Sequence, residues 1–185
     1  MPRNVELKAR AGDPKRVRLL VERMCDGPPR IIAQEDTFFN VPQGRLKLRV
    51  FADGRGELIF YERDDSSGPK QSDYVVFPTD DPSGLKAVLE AALGVRAVVR
   101  KKRTLYMAGQ TRIHLDQVDG LGCFLELEVV LAPGQSAEDG RRIAEALLER
   151  LKIGGDALVD CAYVDLLERK NGAKAAVRRP QKDAR

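Results

Sequence analysis

The chain has 185 residues, of which 43% are hydrophobic, and this length suits one domain with a core of its own. Its formal net charge is +4, from 32 lysines and arginines against 28 acidic residues, but residues 169–185 contribute seven of the cations and one carboxylate. Residues 1–168 therefore hold 25 cations and 27 carboxylates, a net charge of −2. A body without net positive charge argues against a general nucleic-acid binder, so local clusters of cations become the informative feature.

Cysteine and histidine usage excludes several kinds of site. Cys25, Cys123 and Cys161 lie far apart with no CxxC or Cys/His spacing, which argues against a zinc site and against a disulfide framework. The first residues include no apolar leader segment, and no apolar run reaches membrane-spanning length. We therefore expect a reducing, cytoplasmic protein without a membrane partner. The single histidine, His114, excludes sites that need two histidines, and we expect it to be a hydrogen-bonded structural residue.

Alternation of polar and apolar residues predicts strands, whereas apolar residues at helical spacing after Asp-Pro or Ser-x-x-Asp predict helices. In chain order we predict a strand over 3–11, a helix over 13–25, strands over 30–39, 45–50, 57–63 and 70–77, a helix over 81–94, strands over 95–107, 111–118 and 124–131, and a helix over 136–151. An apolar segment follows over 157–167, where Tyr163 is expected to pack. We assign residues 1–168 to one domain and 169–185 to a basic, disordered tail.

One predicted strand carries a row of positive charge. In residues 44–50, the side chains of Arg45, Lys47 and Arg49 alternate with Leu46, Leu48 and Val50, so the cations share one face. A solvated outer face would explain one such strand. Three other predicted strands, however, also have one charged face. These faces hold Glu6, Lys8 and Arg10 in the first strand, Arg112, His114 and Asp116 in the second, and Glu126 and Glu128 in the third. This mixture suits a site where cations hold a polyanion and carboxylates hold its divalent metal.

The pattern predicts an α+β protein with about eight strands and three or four helices. Strands that have one charged and one apolar face fit a closed or nearly closed antiparallel β-barrel with a charged lumen and helices over its apolar outer wall. They fit equally a flat antiparallel sheet with helices on the apolar face and the charges in water. Periodicity does not separate these two folds.

Six stretches together resemble the CYTH superfamily, the triphosphate tunnel metalloenzymes that include class IV adenylyl cyclases, thiamine triphosphatases and inorganic tripolyphosphatases. They are residues 4–8, similar to the ExExK signature, and residues 34–39, 44–49, 100–103, 112–116 and 120–128. Their order along the chain is specific, the resemblance covers about residues 3–167, and the motifs are most similar to the class IV cyclase branch. One departure is Asn4, which stands where ExExK has its first glutamate.

The resemblance implies an eight-stranded tunnel in which basic residues grip a triphosphate and acidic residues hold Mg²⁺ or Mn²⁺. The positions that match the metal-binding and catalytic carboxylates are Glu6, Asp116, Glu126 and Glu128. The cations that match triphosphate-binding positions are Lys8, which also matches a catalytic position, Lys47, Arg49 and Arg103. Alternation along the strands adds Arg10, Arg45, Arg63, Lys101 and Arg112. Of the four cations in residues 100–103, we expect the odd-numbered two to face the lumen, because the family places a cation shortly before the aromatic residue at Tyr106. The alternative, in which the even-numbered two face the lumen, stays open.

The implied activity is metal-dependent phosphoryl chemistry on a small triphosphate. We favour hydrolysis of inorganic, thiamine or nucleoside triphosphate, with a class IV cyclase that makes cyclic AMP and pyrophosphate as the alternative. A non-catalytic polyphosphate or nucleotide binder is a further alternative, because Asn4 removes one negative charge from the metal side. An RNA-binding module that uses the tail and residues 100–103 is the least favoured, and a homodimer stays open.

Overall fold

The computed structural model describes residues 3–63 and 68–177, without the side chains of Arg63 and of residues 174–177. The strands are β1 (Arg3–Arg10), β2 (Arg30–Phe39), β3 (Arg45–Phe51), β4 (Gly56–Arg63), β5 (Lys70–Thr79), β6 (Val95–Ala108), β7 (Thr111–Val118) and β8 (Gly122–Val130). The helices are α1 (Pro14–Glu22), α2 (Pro82–Leu93), α3 (Ala137–Leu151) and α4 (Tyr163–Val177). A 3₁₀ turn spans Gly155–Ala157.

The eight strands form one closed barrel in the order β1-β5-β4-β3-β2-β6-β7-β8. Every neighbouring pair is antiparallel, and β1 closes the barrel by pairing with both β5 and β8. Hairpins supply five of the eight pairs, while β1 with β5, β1 with β8 and β2 with β6 join strands that are distant in the sequence. The closed barrel is confirmed, and the flat sheet is excluded, because each strand has two partners and no edge remains.

The main apolar core lies outside the barrel, between its wall and the helices. Val5, Leu7 and Ala9 of β1 point outward and are fully buried, and Leu7 packs in one cluster with Val17 of α1 and Leu151 of α3. The even-numbered residues of β1 point inward, where Asn4 and Glu6 line the lumen with Lys8. The barrel therefore has the inverted polarity that the charged strand faces indicate.

Helix α3 begins with a capping box, and a glycine in its first turn allows it to pack closely on β1. The Ser136 hydroxyl accepts from the Asp139 backbone N–H at 3.1 Å, and the Asp139 carboxylate accepts from the Ser136 backbone N–H at 3.1 Å. This is the capping box that the sequence predicts. A Cβ at Gly140 would lie 2.6 Å from Val5 Cγ2, so only glycine allows this approach to the barrel.

The segment before α4 closes one end of the barrel. Leu158 bridges to Ala9, and the Val159 backbone N–H donates to the Lys8 carbonyl at 2.9 Å. Helix α4 then starts at Tyr163 and runs nine residues into the segment assigned to the tail, so 169–177 is helical. Residues 178–185 lie outside the described residues. In the part of the chain that the structure describes, no helix is long and apolar enough to cross a membrane.

Candidate active site in the barrel lumen

The lumen contains a cavity of about 340 Å³ whose wall is supplied by all eight strands and by Ala162 and Tyr163. Its described lining holds six cations and five carboxylates. The cations are Lys8, Lys47, Arg49, Lys101, Arg103 and Arg112. The carboxylates are those of Glu6, Asp36, Glu57, Glu126 and Glu128. The odd-numbered residues of the 100–103 run are thus the ones that face the lumen.

Asp36 of β2 organises the basic side of this cavity. Its carboxylate is 1% exposed and accepts hydrogen bonds from Lys101 Nζ at 2.8 Å, Lys47 Nζ at 3.1 Å, and Arg49 Nε and Nη2 at 2.8 and 3.0 Å. Burial alone would raise the pKa of Asp36, but the charges of Arg49, Lys101 and Lys47 hold it well below its usual value. One ionised carboxylate therefore orders three cations that outnumber it, which leaves this wall positive.

Arg103 of β6, two residues after Lys101, is held by carboxylates of β7 and β8. Its Nε and Nη2 donate to Asp116 of β7 at 2.7 and 2.6 Å, and Nη2 also donates to Glu126 of β8. Burial opposes the charge of Arg103, but Asp116 and Glu126 outweigh it and raise the pKa of the guanidinium well above its usual value. Asp116 also accepts from the Tyr163 hydroxyl at 3.1 Å and is not among the residues that line the cavity. The structure therefore places Asp116 behind Arg103.

Lys8 lies at the closed end of the cavity. Its Nζ is 3.2 Å from Glu126 Oε1, donates to the Cys161 carbonyl at 3.1 Å, and stands 4.0 Å from the centre of the Tyr163 ring. The three contacts come from β8, from the segment before α4 and from α4 itself. Lys8 is thus fixed at the point where the helix meets the barrel.

Two carboxylates and a histidine meet on β7 and β8. His114 Nδ1 is 3.6 Å from Glu128 Oε1 and 3.8 Å from Glu126 Oε2, and it has no hydrogen-bond partner. Burial alone would raise the pKa of Glu126, but Lys8 and Arg103 lower it well below its usual value, so this carboxylate is ionised. Glu6 faces the same lumen, directly opposite Glu128 in the pairing of β1 with β8. Oxygen-rich carboxylates and an unpartnered buried nitrogen fit a divalent cation.

Two predicted cations lie away from the cavity, and the position of a third is not described. Arg10 is exposed at the end of β1, with its guanidinium 5.2 Å from the centre of the Phe124 ring. Arg45 is paired with Asp165 of α4 at 2.9 Å, outside the main cavity. Alternation correctly gives the side of the strand in a row such as Arg45, Lys47 and Arg49, but it does not show where the cavity ends. The side chain of Arg63 lies outside the described residues.

Sequence reasoning missed three residues of this site. Asp36 continues the alternation of Gln34 and Phe38, so assigning faces to β2 would have found it. Glu57 lies opposite Arg49 in the β3–β4 hairpin, and the turn over residues 53–56 indicates that register. Tyr163 carried no such signal, because its place depends on how α4 closes the barrel.

A second cavity of about 680 Å³ adjoins the first at the end of the barrel away from α4. The two cavities share five lining residues, namely Arg49, Glu57, Arg103, Arg112 and Glu128. The second cavity adds apolar side chains, among them Ile32, Phe51 and Leu105, and the further cations Arg30 and Arg55. The lumen is therefore continuous with a larger, mixed polar and apolar chamber.

Solved structures of other proteins share this barrel. PH1012 from Pyrococcus horikoshii OT3 superposes with a TM-score of 0.78 at 23% identity, over 88% of this chain and 98% of that protein. A proposed adenylate cyclase from Vibrio parahaemolyticus gives 0.75 at 19% identity, over 89% and 97%. HpAC1 from Hippeastrum, described with a dominant triphosphatase activity, gives 0.64 at 14% identity, over 93% and 96%. At these identities the likeness shows the fold. Among curated proteins, no sequence matches the chain.

The amino-acid sequence itself matches the CYTH domain over residues 2–163. The matched range includes every strand of the barrel and ends at Tyr163, the residue that closes the lumen. It also includes all the charged residues described above for the cavity wall. The chain belongs to the CYTH domain family.

Proposed function

We propose that this protein hydrolyses a triphosphate bound in the barrel lumen, with a divalent metal ion. The observation that carries the proposal is the cavity of about 340 Å³ in the barrel lumen, with six cations and five carboxylates on its wall. CYTH tunnel enzymes are generally metal-dependent, and the family includes triphosphatases. The substrate class that fits is a compact polyanion.

The balance of cations and carboxylates differs around the lumen. Lys47, Arg49 and Lys101 form the basic wall around Asp36, whereas Glu126 and Glu128 lie on β8 next to β1 and β7. Arginine forks and lysine ammonium groups form short charge-assisted hydrogen bonds to phosphate oxygens. The described wall carries a formal excess of only one positive charge, so a triphosphate needs further positive charge beside it. This requirement supports a metal-dependent reaction.

The residues that would hold the cation are Glu6, Glu126 and Glu128. A divalent cation there would neutralise phosphate oxygens and favour attack by water. Around it, Arg103 is locked by Asp116 and faces the lumen with its position fixed, and Lys8 is held at the closed end by Cys161 and Glu126. These cations orient the chain of phosphates and stabilise charge that develops on the leaving group. Asp116, expected as a further metal ligand, would act by positioning Arg103.

A cyclase is the second candidate, and the second cavity favours it. Its volume of about 680 Å³, with Ile32 and Phe51 in its wall, would accommodate the nucleoside of ATP beside the phosphate site. A proposed adenylate cyclase shares the fold, but so does HpAC1, whose described activity is dominated by triphosphate hydrolysis. Hydrolysis needs only the lumen and water, so we favour it.

The test is to incubate the purified chain with Mg²⁺ or Mn²⁺ and, separately, tripolyphosphate, thiamine triphosphate and ATP, and to resolve the products. Metal-dependent release of orthophosphate is expected, and the fastest substrate names the enzyme. Cyclic AMP with pyrophosphate from ATP would replace the proposal by the cyclase. Binding without any product would identify a binder and make Asn4→Glu the next variant to assay. Neither binding nor turnover of any of the three would overturn the proposal.

A further inference from the structure

His114 has an unusual environment for a structural histidine. Its side chain is 4% exposed, on β7 between Leu105 of β6 and Glu126 of β8. Although it faces two carboxylates, Nδ1 makes no hydrogen bond, because 3.6 and 3.8 Å exceed the 2.7–3.2 Å of an N–H···O bond. A buried polar atom without a partner costs free energy. The expectation of a hydrogen-bonded structural residue is not met at this atom.

The same spacing suits three donors around one ion. The donor atoms of His114, Glu126 and Glu128 all lie within 4.8 Å of one another. Two ligand atoms that are each about 2.1 Å from a shared cation stand roughly 3 to 4 Å apart. The two distances from Nδ1 fall in this range. The nitrogen is thus placed where a ligand would be, and not where a hydrogen-bond donor would be.

Both carboxylates also have neighbouring cations, and these contacts leave lone pairs on the carboxylate oxygens. Glu128 divides its contacts, with Oε1 towards His114 and Oε2 3.6 Å from Arg112 Nη1. Glu126 Oε1 is paired with Lys8, and its Oε2 accepts from Arg103. A carboxylate oxygen has two lone pairs, so an oxygen that accepts from a guanidinium keeps one for a cation. The guanidinium groups also orient both carboxylates, as partners of metal ligands commonly do.

We propose that His114 Nδ1 is a metal ligand together with Glu126 and Glu128, and that it makes this site prefer Mn²⁺ to Mg²⁺. This inference rests on the proposed metal-dependent hydrolysis and names Mn²⁺ as the ion that supports it. Mg²⁺ strongly favours oxygen ligands in octahedral geometry, whereas imidazole nitrogen is a good ligand for first-row transition ions. An all-carboxylate site lacks this second donor type. The histidine therefore supplies selectivity that the glutamates alone do not.

The test measures metal binding without substrate. Mn²⁺ is titrated into the full-length protein, the free ion is quantified by electron paramagnetic resonance, and Mg²⁺ affinity is obtained by competition. Pulsed measurements on the bound ion should show modulation from a coordinated imidazole nitrogen. In His114→Asn, which keeps a polar group near the Nδ1 position, that modulation should disappear. Loss of a residue that only hydrogen-bonds to a metal ligand typically lowers metal affinity by about tenfold or more. We therefore expect Mn²⁺ affinity to fall at least about tenfold in this variant, and Mg²⁺ affinity to fall less.

His114→Leu is the matched variant that removes the donor, and thermal unfolding of both variants checks the fold. If the leucine variant fails to fold, the wild-type nitrogen signal and the asparagine variant still decide. Bound Mn²⁺ without nitrogen modulation, or equal losses of Mn²⁺ and Mg²⁺ affinity in the asparagine variant, would overturn the inference. Absence of Mn²⁺ binding in the wild type would overturn it as well. Tight Mn²⁺ binding through nitrogen without triphosphate turnover would support the metal site and refute only the proposed hydrolysis.

Discussion

At the scale of single residues, Asp36 decides whether the basic wall can exist. Three cations, Lys47, Arg49 and Lys101, surround its buried carboxylate at 2.8 to 3.1 Å. Lysines and arginines lose hydration when they are buried, and removal of one partner from such a cluster leaves uncompensated charge. The same buried carboxylate therefore stabilises the three cations and fixes their positions on the wall of the lumen.

Asp36→Asn should lower the free energy of unfolding by about 3 kcal/mol at pH 7, which is the lower end of the range for removing one partner of a buried ion pair. Tripolyphosphate should restore part of this loss, because a bound polyanion would replace the missing negative charge. Urea unfolding gives the first value, and melting temperatures with and without tripolyphosphate give the second. Asp53→Asn, in the exposed β3–β4 turn, is the control and should change little. A loss below about 1 kcal/mol in the Asp36 variant would contradict the account.

Lys47 should make triphosphate binding depend on pH. Burial, with the nearby charge of Arg49, lowers the pKa of Lys47 to about 7 despite Asp36. The free enzyme therefore carries this charge below pH 7 and loses it as pH rises through 7. In the unfolded chain the lysine stays charged up to about pH 10.4. Between about pH 7 and pH 10.4 the unfolded state thus binds more protons than the folded state. Burial of Lys47 destabilises the fold most below pH 7, and the free energy of unfolding rises with pH across that window.

The expected consequence is a fall in kcat/KM above pH 7 that Lys47→Arg lacks, because arginine keeps its charge. The ratio of wild type to variant should drop by about tenfold between pH 6 and 8.5, the loss of one charge-assisted contact. Taking the ratio cancels titration of the substrate itself. A ratio that stays constant over this range would show that the lysine does not titrate there.

The residue scale also shows what the sequence can predict of a site. Alternation and the motif together predict that Glu126, Lys101 and Arg103 face the lumen, and the structure brings them to the cavity wall. Arg10 follows the same alternation and lies beyond the cavity, because periodicity has no information on depth along the barrel axis. The resemblance implies that Asp116 is a metal ligand, whereas in the structure its carboxylate accepts hydrogen bonds from Arg103 and Tyr163. Pairing between side chains on different strands decides such roles.

At the scale of elements, α4 functions as the closure of the tunnel. Its first residue, Tyr163, donates to Asp116 at 3.1 Å, stacks edge-on with Phe124 at 5.0 Å between ring centres, and covers Lys8. The helix is tied to the barrel wall by Asp165, which accepts from Arg45 at 2.9 Å. Burial, with the negative charge of Glu126 and Asp116, raises the pKa of the Tyr163 hydroxyl well above its usual value, so it remains a donor.

Two variants separate the hydroxyl from the ring. Tyr163→Phe removes only the hydrogen bond and should cost about 1 kcal/mol of unfolding free energy. Tyr163→Ala also removes the packed ring and should cost about 3 kcal/mol or more. Because the alanine variant admits water beside Lys8, its kcat/KM should fall further than that of the phenylalanine variant. Equal stability and activity of the two variants would contradict the role of the ring as a closure.

The elements themselves were largely predictable from the sequence, and their arrangement was not. Alternation identifies all eight strands to within a few residues, and caps such as Asp13 and Ser136 identify where helices begin. Closure of the barrel depends on the pairing of β1 with β5 and β8, which joins residues more than 60 positions apart. Periodicity within one strand does not show which distant strand it pairs with, or in which register. The family resemblance supplied that step. The sequence indicates only an apolar segment over 157–167, whereas α4 runs from Tyr163 to Val177, and its last turns carry no apolar stripe that would predict a helix.

At the scale of the whole molecule, the closed barrel allows many charged side chains to face one another inside the protein. Its apolar residues form the core with the helices outside, so the lumen can be polar without exposing the core to water. Most of the charged side chains described on the cavity wall have an oppositely charged partner, including Arg103 with Asp116 and Lys8 with Glu126. A triphosphate with its cation would enter this balanced set by exchanging partners. The function therefore depends on the closed fold as much as on any one residue.

The central claim is that the inner face of the barrel, and not its positive charge in general, binds and cleaves the triphosphate. Lys101 and Lys102 are adjacent on β6, and the first is buried in the lumen while the second is exposed outside. The most direct measurement is orthophosphate release from tripolyphosphate with Mn²⁺ by wild type, Lys101→Met and Lys102→Met, at equal folded concentration. We predict that kcat/KM falls about 10- to 100-fold for Lys101→Met and stays within about twofold for Lys102→Met. Equal losses in the two variants, or no loss at Lys101, would contradict the account.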